Sequence, residues 1–177
     1  MTICFDIGGS TIKAALARAP EDLTPLGNRP TPGDDFAAFC RALSDLARCA
    51  EEDATPLSIA ICGVVDPQSG RIKCANIPCV DGRPLAADIE AALQRPVLVT
   101  NDADCFAVAE AGVGAGQGYG VVFGIILGTG VGGGVVVNGR LVEGAGGLPA
   151  NGGTDPSWRG RPATRRWTSP GFPAAAV

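Results

Sequence analysis

The 177 residues hold 14 basic and 18 acidic side chains, net charge −4, with no histidine and seven cysteines. Such a chain lacks the clustered Lys and Arg that binding along a phosphate backbone requires, so nucleic acid is excluded as the main partner. The missing histidine removes imidazole acid–base chemistry and His-ligated zinc, while 46% hydrophobic residues with 26 Gly and 14 Pro describe a buried core joined by many tight turns.

Thr2 to Ile7 and Ile12 to Ala19 read as strands around Asp6-Ile7-Gly8-Gly9-Ser10-Thr11. Asp6 interrupts the first apolar run, so no secretory signal is read and a cytoplasmic location is expected. Gly33-Asp34 opens an amphipathic helix with Phe36, Phe39, Cys40, Leu43, Leu46, Ala47 and Ala50 at helical spacing, Asp34 or Asp35 lying near its N-terminus. Leu57 to Cys62 is a continuous apolar strand, Asp66 to Gly70 a turn, and Arg71 to Cys74 extended. Pro84 to Leu93 predicts a short helix with Leu85, Ile89 and Leu93 inward. Pro96 to Thr100 predicts a strand that delivers Asn101-Asp102 to a helix over Ala103 to Gly112. Val121 to Leu127 and Val135 to Val137 are strands around Leu127-Gly128-Thr129-Gly130-Val131-Gly132-Gly133-Gly134, and Asn138-Gly139 is a type I′ signal leading into Arg140-Leu141-Val142.

Two glycine turns, each between β-branched runs, suggest two hairpins gripping one polyphosphate, because a turn without side chains lets backbone N–H groups approach phosphate oxygens. In the first, Asp6 is placed to hold Mg²⁺ or its waters, and Ser10 and Thr11 to donate to phosphate. The second contains the dinucleotide spacing Gly128-x-Gly130-x-x-Gly133, but a strand and hairpin follow where a Rossmann site needs a helix, so NAD is rejected. No Walker A loop occurs. From Tyr119 to Gly139 the chain carries no charge; its glycines and the Asn-Gly turn divide this stretch into strand-sized pieces, so no membrane partner is expected. The cysteines are scattered without a Cys-x-x-Cys pair and read as free thiols. A metal reading of Cys74 with Cys79 is set aside, leaving Asn76 and Asp81 as substrate-facing loop residues. Asp102 is the candidate for chemistry. Its plainer role is N-cap of the following helix, and the two roles are compatible: a carboxylate at a strand end can accept the proton of an attacking sugar hydroxyl while Asn101 orients the substrate.

Phe5 to Thr11, Asn76-Ile77-Pro78 with Asp81 to Leu85, Asn101 to Phe106, and Leu127 to Gly134 together resemble the ROK family (repressor, open reading frame, kinase) over residues 1 to about 148. The resemblance implies an α/β fold of the actin-like, hexokinase-like (ribonuclease H-like) ATPase class. The N-terminal lobe would be complete over 1–118, the C-terminal lobe begun over 119–148, and residues 149–177 a disordered, out-of-frame tail. It implies transfer of phosphate from ATP with Mg²⁺ to a sugar hydroxyl, nearest to the 6-hydroxyl of N-acetylglucosamine or a related hexose. Carried over by position, Asp102 is the base and Asn101 and Asn76 bind sugar. Asp6, Gly8, Gly9, Ser10 and Thr11 form the first phosphate motif, and Gly128, Thr129, Gly130, Gly132, Gly133 and Gly134 the second. Asp6 serves Mg²⁺ indirectly, and a homodimer is possible in the family.

The match then fails. The family continues to Ala-Gly-Glu-Trp-Gly-His, whose Glu and His serve sugar and metal, and to a Cys-rich zinc motif; here Pro149-Ala150-Asn151-Gly152-Gly153-Thr154 follows, so the expected structural zinc has no ligands. Writing the family segment as GCC GGC GAA TGG GGG CAC and deleting the first G gives CCG GCG AAT GGG GGC AC, which translates to those six residues. The tail also holds both Trp and four Arg against one acid, while residues 1–148 hold 10 basic and 17 acidic side chains. A frameshifted and truncated kinase with impaired activity is therefore expected. The alternatives are a ROK-type sugar-sensing regulator, which would carry a helix-turn-helix before the first phosphate motif where Met1 precedes Asp6 by five residues, and a catalytically dead sugar-binding remnant.

Overall fold

The computed structural model describes residues 1–50, 55–127 and 131–142. The tip of the second glycine turn at 128–130 and the expected tail at 149–177 lie outside them. β1 (Thr2–Ile7) and β2 (Thr11–Ala19) form an antiparallel hairpin in which Asp6 pairs with Lys13 and Ile7 with Ile12. β3 (Asp22–Pro30) adds antiparallel to β2 at the sheet edge. Sequence reasoning assigned nothing there, and the reason is physical. Pro25, Gly27 and Pro30 are all strand-averse, eight of the nine residues are exposed, and the ladder slips by a residue where Gly27 takes φ 116°. An edge position tolerates prolines because one row of its N–H groups needs no partner.

On the other side of β1 the sheet continues in parallel with β4 (Leu57–Ile61) and β7 (Val97–Asn101), giving the order β3-β2-β1-β4-β7. All five residues of β4 are buried, which explains its unbroken apolar run: a central parallel strand is covered on both faces. One face carries Ile3, Phe5, Ile7, Leu57, Ile59 and Ile61 and packs under α1 (Phe36–Ala47) and α2 (Leu85–Leu93). α1 starts where Asp35 Oδ1 accepts from the Ala38 N–H at 3.0 Å, and it buries Phe39, Cys40, Leu43, Leu46 and Ala47. α2 ends at Gln94 in the left-handed region, φ 55°.

β7 runs directly into α3 (Asp102–Gly112), which contacts β4 and β7 on one side and a second sheet on the other. That sheet is β8 (Val121–Leu127), β9 (Val131–Val137) and β10 (Arg140–Leu141), all antiparallel. The stretch that mimics a membrane span in sequence is thus a hairpin, and no described helix is long and apolar enough to cross a membrane. Asn138 and Gly139, both at positive φ (50° and 72°), make the expected turn into β10.

One boundary differs from the sequence expectation. Gly132, Gly133 and Gly134 are not in the turn: they are strand residues paired with Ile126, Ile125 and Gly124. Their small size serves packing. A Cβ on Gly134 would sit 2.8 Å from Ala107 Cβ and 3.0 Å from Asp104 Oδ1, and one on Gly124 would sit 2.9 Å from Ala107 Cα, so α3 can lie on this sheet only where side chains are missing.

Candidate active site

The register sets the site. Ile7 of β1 pairs with Ile61 of β4, and Ile61 with Asn101 of β7, so the three parallel strands end level. The next residues, Gly8, Cys62 and Asp102, leave that edge side by side, at the carboxyl ends where ligands of open α/β sheets collect. The Cys62 N–H reaches Ile7 O at 3.4 Å, and the Gly63 N–H closes a tight three-residue bend on Ile61 O at 2.7 Å.

The first glycine turn is held from two sides. The Gly8 N–H donates to Thr11 O (3.0 Å), the Thr31 hydroxyl donates to Gly8 O (2.7 Å), and the Thr31 N–H donates to Ser10 O (3.0 Å). Gly9 and Ser10 are exposed at its tip, with Thr11 half-buried behind them. A Cβ on Gly9 would meet both Cβ and O of Asn76 at 3.3 Å, so the glycine lets the loop after β6 (Ile72–Lys73) close against the turn. β6 is the return strand of a small hairpin with β5 (Val64–Val65), turned by Asp66, whose Oδ1 accepts from the Gln68 N–H. Asp81, expected to face substrate, spends an oxygen on the loop itself: Oδ1 accepts from the Cys74 N–H at 2.9 Å.

Asn101 and Asp102 divide the two roles that sequence reasoning weighed for Asp102. The N-cap of α3 is Asn101, one residue earlier than expected. Its Oδ1 accepts from the N–H groups of Ala103 (2.9 Å) and Asp104 (3.3 Å), while its Nδ2 donates to Gly63 O (2.9 Å). At 6% exposure, this amide ties the start of α3 to the end of β4. Asp102 is thereby the first helical residue, half-buried, with Oδ1 accepting from the Ala103 N–H at 2.9 Å, so its carboxylate sits at the positive end of the helix dipole.

Asp6 leaves the α3-facing side of β1, its side chain 48% exposed and 3.1 Å from Lys13 Nζ. Lys13 is a site residue that sequence reasoning missed. The signal was available: a hairpin turning at Gly8 to Ser10 must set residue 13 across from residue 6. Burial, followed by the charges of Asp104, Asp102, Cys4 and Asp6, pushes the Cys105 thiol up to about 12. A hydrated Mg²⁺ takes one or two protein carboxylates and fills its other positions with water and phosphate oxygens, a role that Asp6 fits. Among the described residues no group of three or more His, Cys, Asp or Glu is placed to hold a metal by itself.

Cys62 has the most unusual chemistry here. A hydrogen bond from the Cys74 thiol lowers its pKa, burial and the Asp102 charge oppose that, a bond from Asn76 assists it, and the result is about 7. Cys74 moves the other way, raised by its interaction with the Cys62 side chain and by burial.

Residues 2–154 match the model of the ROK family. N-acetyl-D-glucosamine kinase of Shigella flexneri is 39% identical over 143 residues, covering 79% of this chain and 47% of that protein. A ROK family glucokinase from Streptomyces griseus, solved in complex with glucose and AMPPNP, superimposes with TM-score 0.71 at 32% identity over 83% of this chain and 47% of its own. A ROK family transcriptional regulator, a homologue of the E. coli MLC protein, gives TM-score 0.71 at 21% identity over 89% of this chain and 42% of its own, a likeness of fold alone. The chain spans about half the length of the curated relatives it matches. Its α/β fold is that of the actin-like, hexokinase-like kinases.

Proposed function

The chain belongs to the ROK family, and we propose that its site serves ATP-dependent phosphorylation of a sugar hydroxyl, the 6-hydroxyl of N-acetylglucosamine or a related hexose. The observation that carries this reading is the level ending of β1, β4 and β7, which sets the glycine turn and Asp102 along one edge. The 39% identity to an N-acetyl-D-glucosamine kinase supports this choice of sugar. In this reading Asp102 accepts the proton of the attacking hydroxyl. Asn101 fixes that carboxylate through the helix start and stands beside the sugar, and Asn76 faces the sugar from the opposite loop. Because Gly8 spends its N–H on closing the turn, phosphate contact falls to Gly9, Ser10 and Thr11, with the Lys13 ammonium adding attraction for the triphosphate. Asp6 orients Mg²⁺, which when bound neutralises charge on the phosphoryl group in transfer. Gly128, Thr129 and Gly130 serve phosphate as the second motif, with Gly132 to Gly134 as strand residues beside them and Gly134 packed on α3.

Residues 1–118 then form the sugar-binding lobe, 119–148 open the nucleotide lobe, and 149–177 follow a lost nucleotide. The protein acts in the cytoplasm. The test compares the gene as it stands with one carrying a nucleotide restored before the Pro149 codon, assayed for ADP release with N-acetylglucosamine, glucose and N-acetylmannosamine. Turnover is expected chiefly in the restored protein, fastest with N-acetylglucosamine. Asp102→Asn in that protein should lower kcat by about 10²–10⁴-fold, and unchanged kcat would remove Asp102 from its role.

A further inference from the structure

Two thiols meet in the floor of this site. Cys62 is the half-exposed residue between Gly8 and Asp102, at the bend closed by the 2.7 Å Gly63–Ile61 bond. Val64 and Lys73 are direct partners in the β5–β6 hairpin, so the chain one step outward brings Gly63 and Cys74 together. A Cβ on Gly63 would lie 2.9 Å from Lys73 O, so the two backbones remain in contact there. The buried Cys74 Sγ donates to Cys62 O at 3.3 Å, and the interaction of the two side chains shifts their pKa values in opposite directions. Cys62 precedes the residue opposite Cys74, so the two cysteines are diagonal neighbours where the hairpin pairing runs out, and an S–S bond there takes a small backbone shift.

We propose that Cys62 and Cys74 are an oxidisable thiol pair that a peroxide converts to a disulfide, closing the sugar site. The Cys62 sulfur attacks a peroxide oxygen; an S–O bond forms, the O–O bond breaks, and hydroxide leaves to take a proton and become water. The Cys74 sulfur then attacks the Cys62 sulfenic acid. The S–S bond forms, the S–O bond breaks, and the leaving oxygen departs as water with the Cys74 proton. Two electrons pass from the pair to the peroxide. Position assigns the order: Cys62 is reachable from the site and Cys74 is buried behind it. The bond removes the Cys62 contact with Asn76 and draws the loop that carries Asn76 towards β4, away from its seat against Gly9.

The chemistry stands apart from the kinase reading, and only the loss of turnover rests on it, so the two are measured separately. Hydrogen peroxide is added to the whole protein, which is then digested without reduction and weighed. The expected product is a Cys62–Cys74 linked peptide lighter by two hydrogens, reversed by dithiothreitol. In Cys74→Ser a dimedone label should collect on Cys62; in Cys62→Ser, Cys74 should remain unlabelled. Oxidation of other cysteines with Cys62 and Cys74 unlinked, or no label on Cys62 in Cys74→Ser, overturns the proposal. A linked protein that still binds N-acetylglucosamine with undiminished affinity refutes the closing of the site, whether or not any form of the protein turns over ATP.

Discussion

Asn101→Ala tests whether the amide joining β4 to α3 governs the position of Asp102. The residue is 6% exposed and makes three bonds: two N–H groups of the first turn of α3 donate to Oδ1, and Nδ2 donates to Gly63 O. Losing a cap costs about 1 kcal/mol. Leaving the buried Gly63 carbonyl without that donor costs about 1–3 kcal/mol more, so the expected loss is roughly 2–4 kcal/mol. Asn101→Ser keeps an acceptor for the helix but is too short to reach Gly63 O, and should recover about 1 kcal/mol of the loss. Urea unfolding followed by circular dichroism reads both, with an unchanged slope as the check that only stability moved. In the frame-restored protein both variants should lower kcat more than they raise KM for sugar, since a base that wanders fails in the transition state before it fails to bind. If Asn101→Ala fell within 0.5 kcal/mol of the parent, a margin usual for surface substitutions, or if Ser were no better than Ala, the amide would not be the joint described here.

The seam between α3 and the second sheet gives a paired prediction. Gly134→Ala places a methyl 2.8 Å from Ala107 Cβ and should destabilise by about 1–3 kcal/mol. Gly112→Ala, in the last turn of α3 with nothing within 4 Å, should stabilise by about 0.5–1 kcal/mol; thermal melts of the two variants should shift in opposite directions. A pH profile tests Cys62, which faces Cys74, Asn76 and Asp102. With its pKa lowered to about 7, its alkylation by iodoacetamide should level off above about pH 8, whereas an ordinary thiol of pKa about 8.5 keeps climbing to pH 9. At pH 7 the larger thiolate fraction, offset by weaker nucleophilicity, leaves Cys62 roughly threefold faster than a free cysteine. The sign for stability follows. Between the folded value near 7 and the unfolded value near 8.5 the unfolded chain holds more protons at Cys62, so this residue's contribution grows with pH across that window and is lost as pH falls through 7. Cys62→Ser should flatten that part of the stability profile, measured by urea midpoints at several pH values.

What the chain declared in its residues was whatever a repeating pattern or a turn residue could carry. Helical spacing from Phe36 to Ala47 and the unbroken apolar run at Leu57 gave α1 and β4, and Asn138-Gly139 gave its turn, because each is enforced by burial or by positive φ within a few neighbours. β3 was invisible because an exposed edge strand has no buried face to create a period of two. Gly132 to Gly134 were drawn into the turn for a related reason: a glycine run reads as a loop until a partner demands closeness, and that partner, Ala107 on α3, lies 27 residues before Gly134. The site divides along the same line. Asp6, Gly8, Gly9 and Asp102 sit in local motifs and could be named, whereas Lys13 and Cys62 acquire meaning only from pairing. Asp6 meets Lys13 through the register of a hairpin, and Cys62 meets Asp102 because three parallel strands stop at the same level. The thiol pair is further out of reach, since Cys74 approaches Cys62 only after the β5–β6 hairpin has folded back. Chemistry that depends on a strand's last residue is therefore set by its neighbours' lengths: moving the end of β4 by one residue would turn Cys62 into the core and put another side chain between the phosphate turn and Asp102.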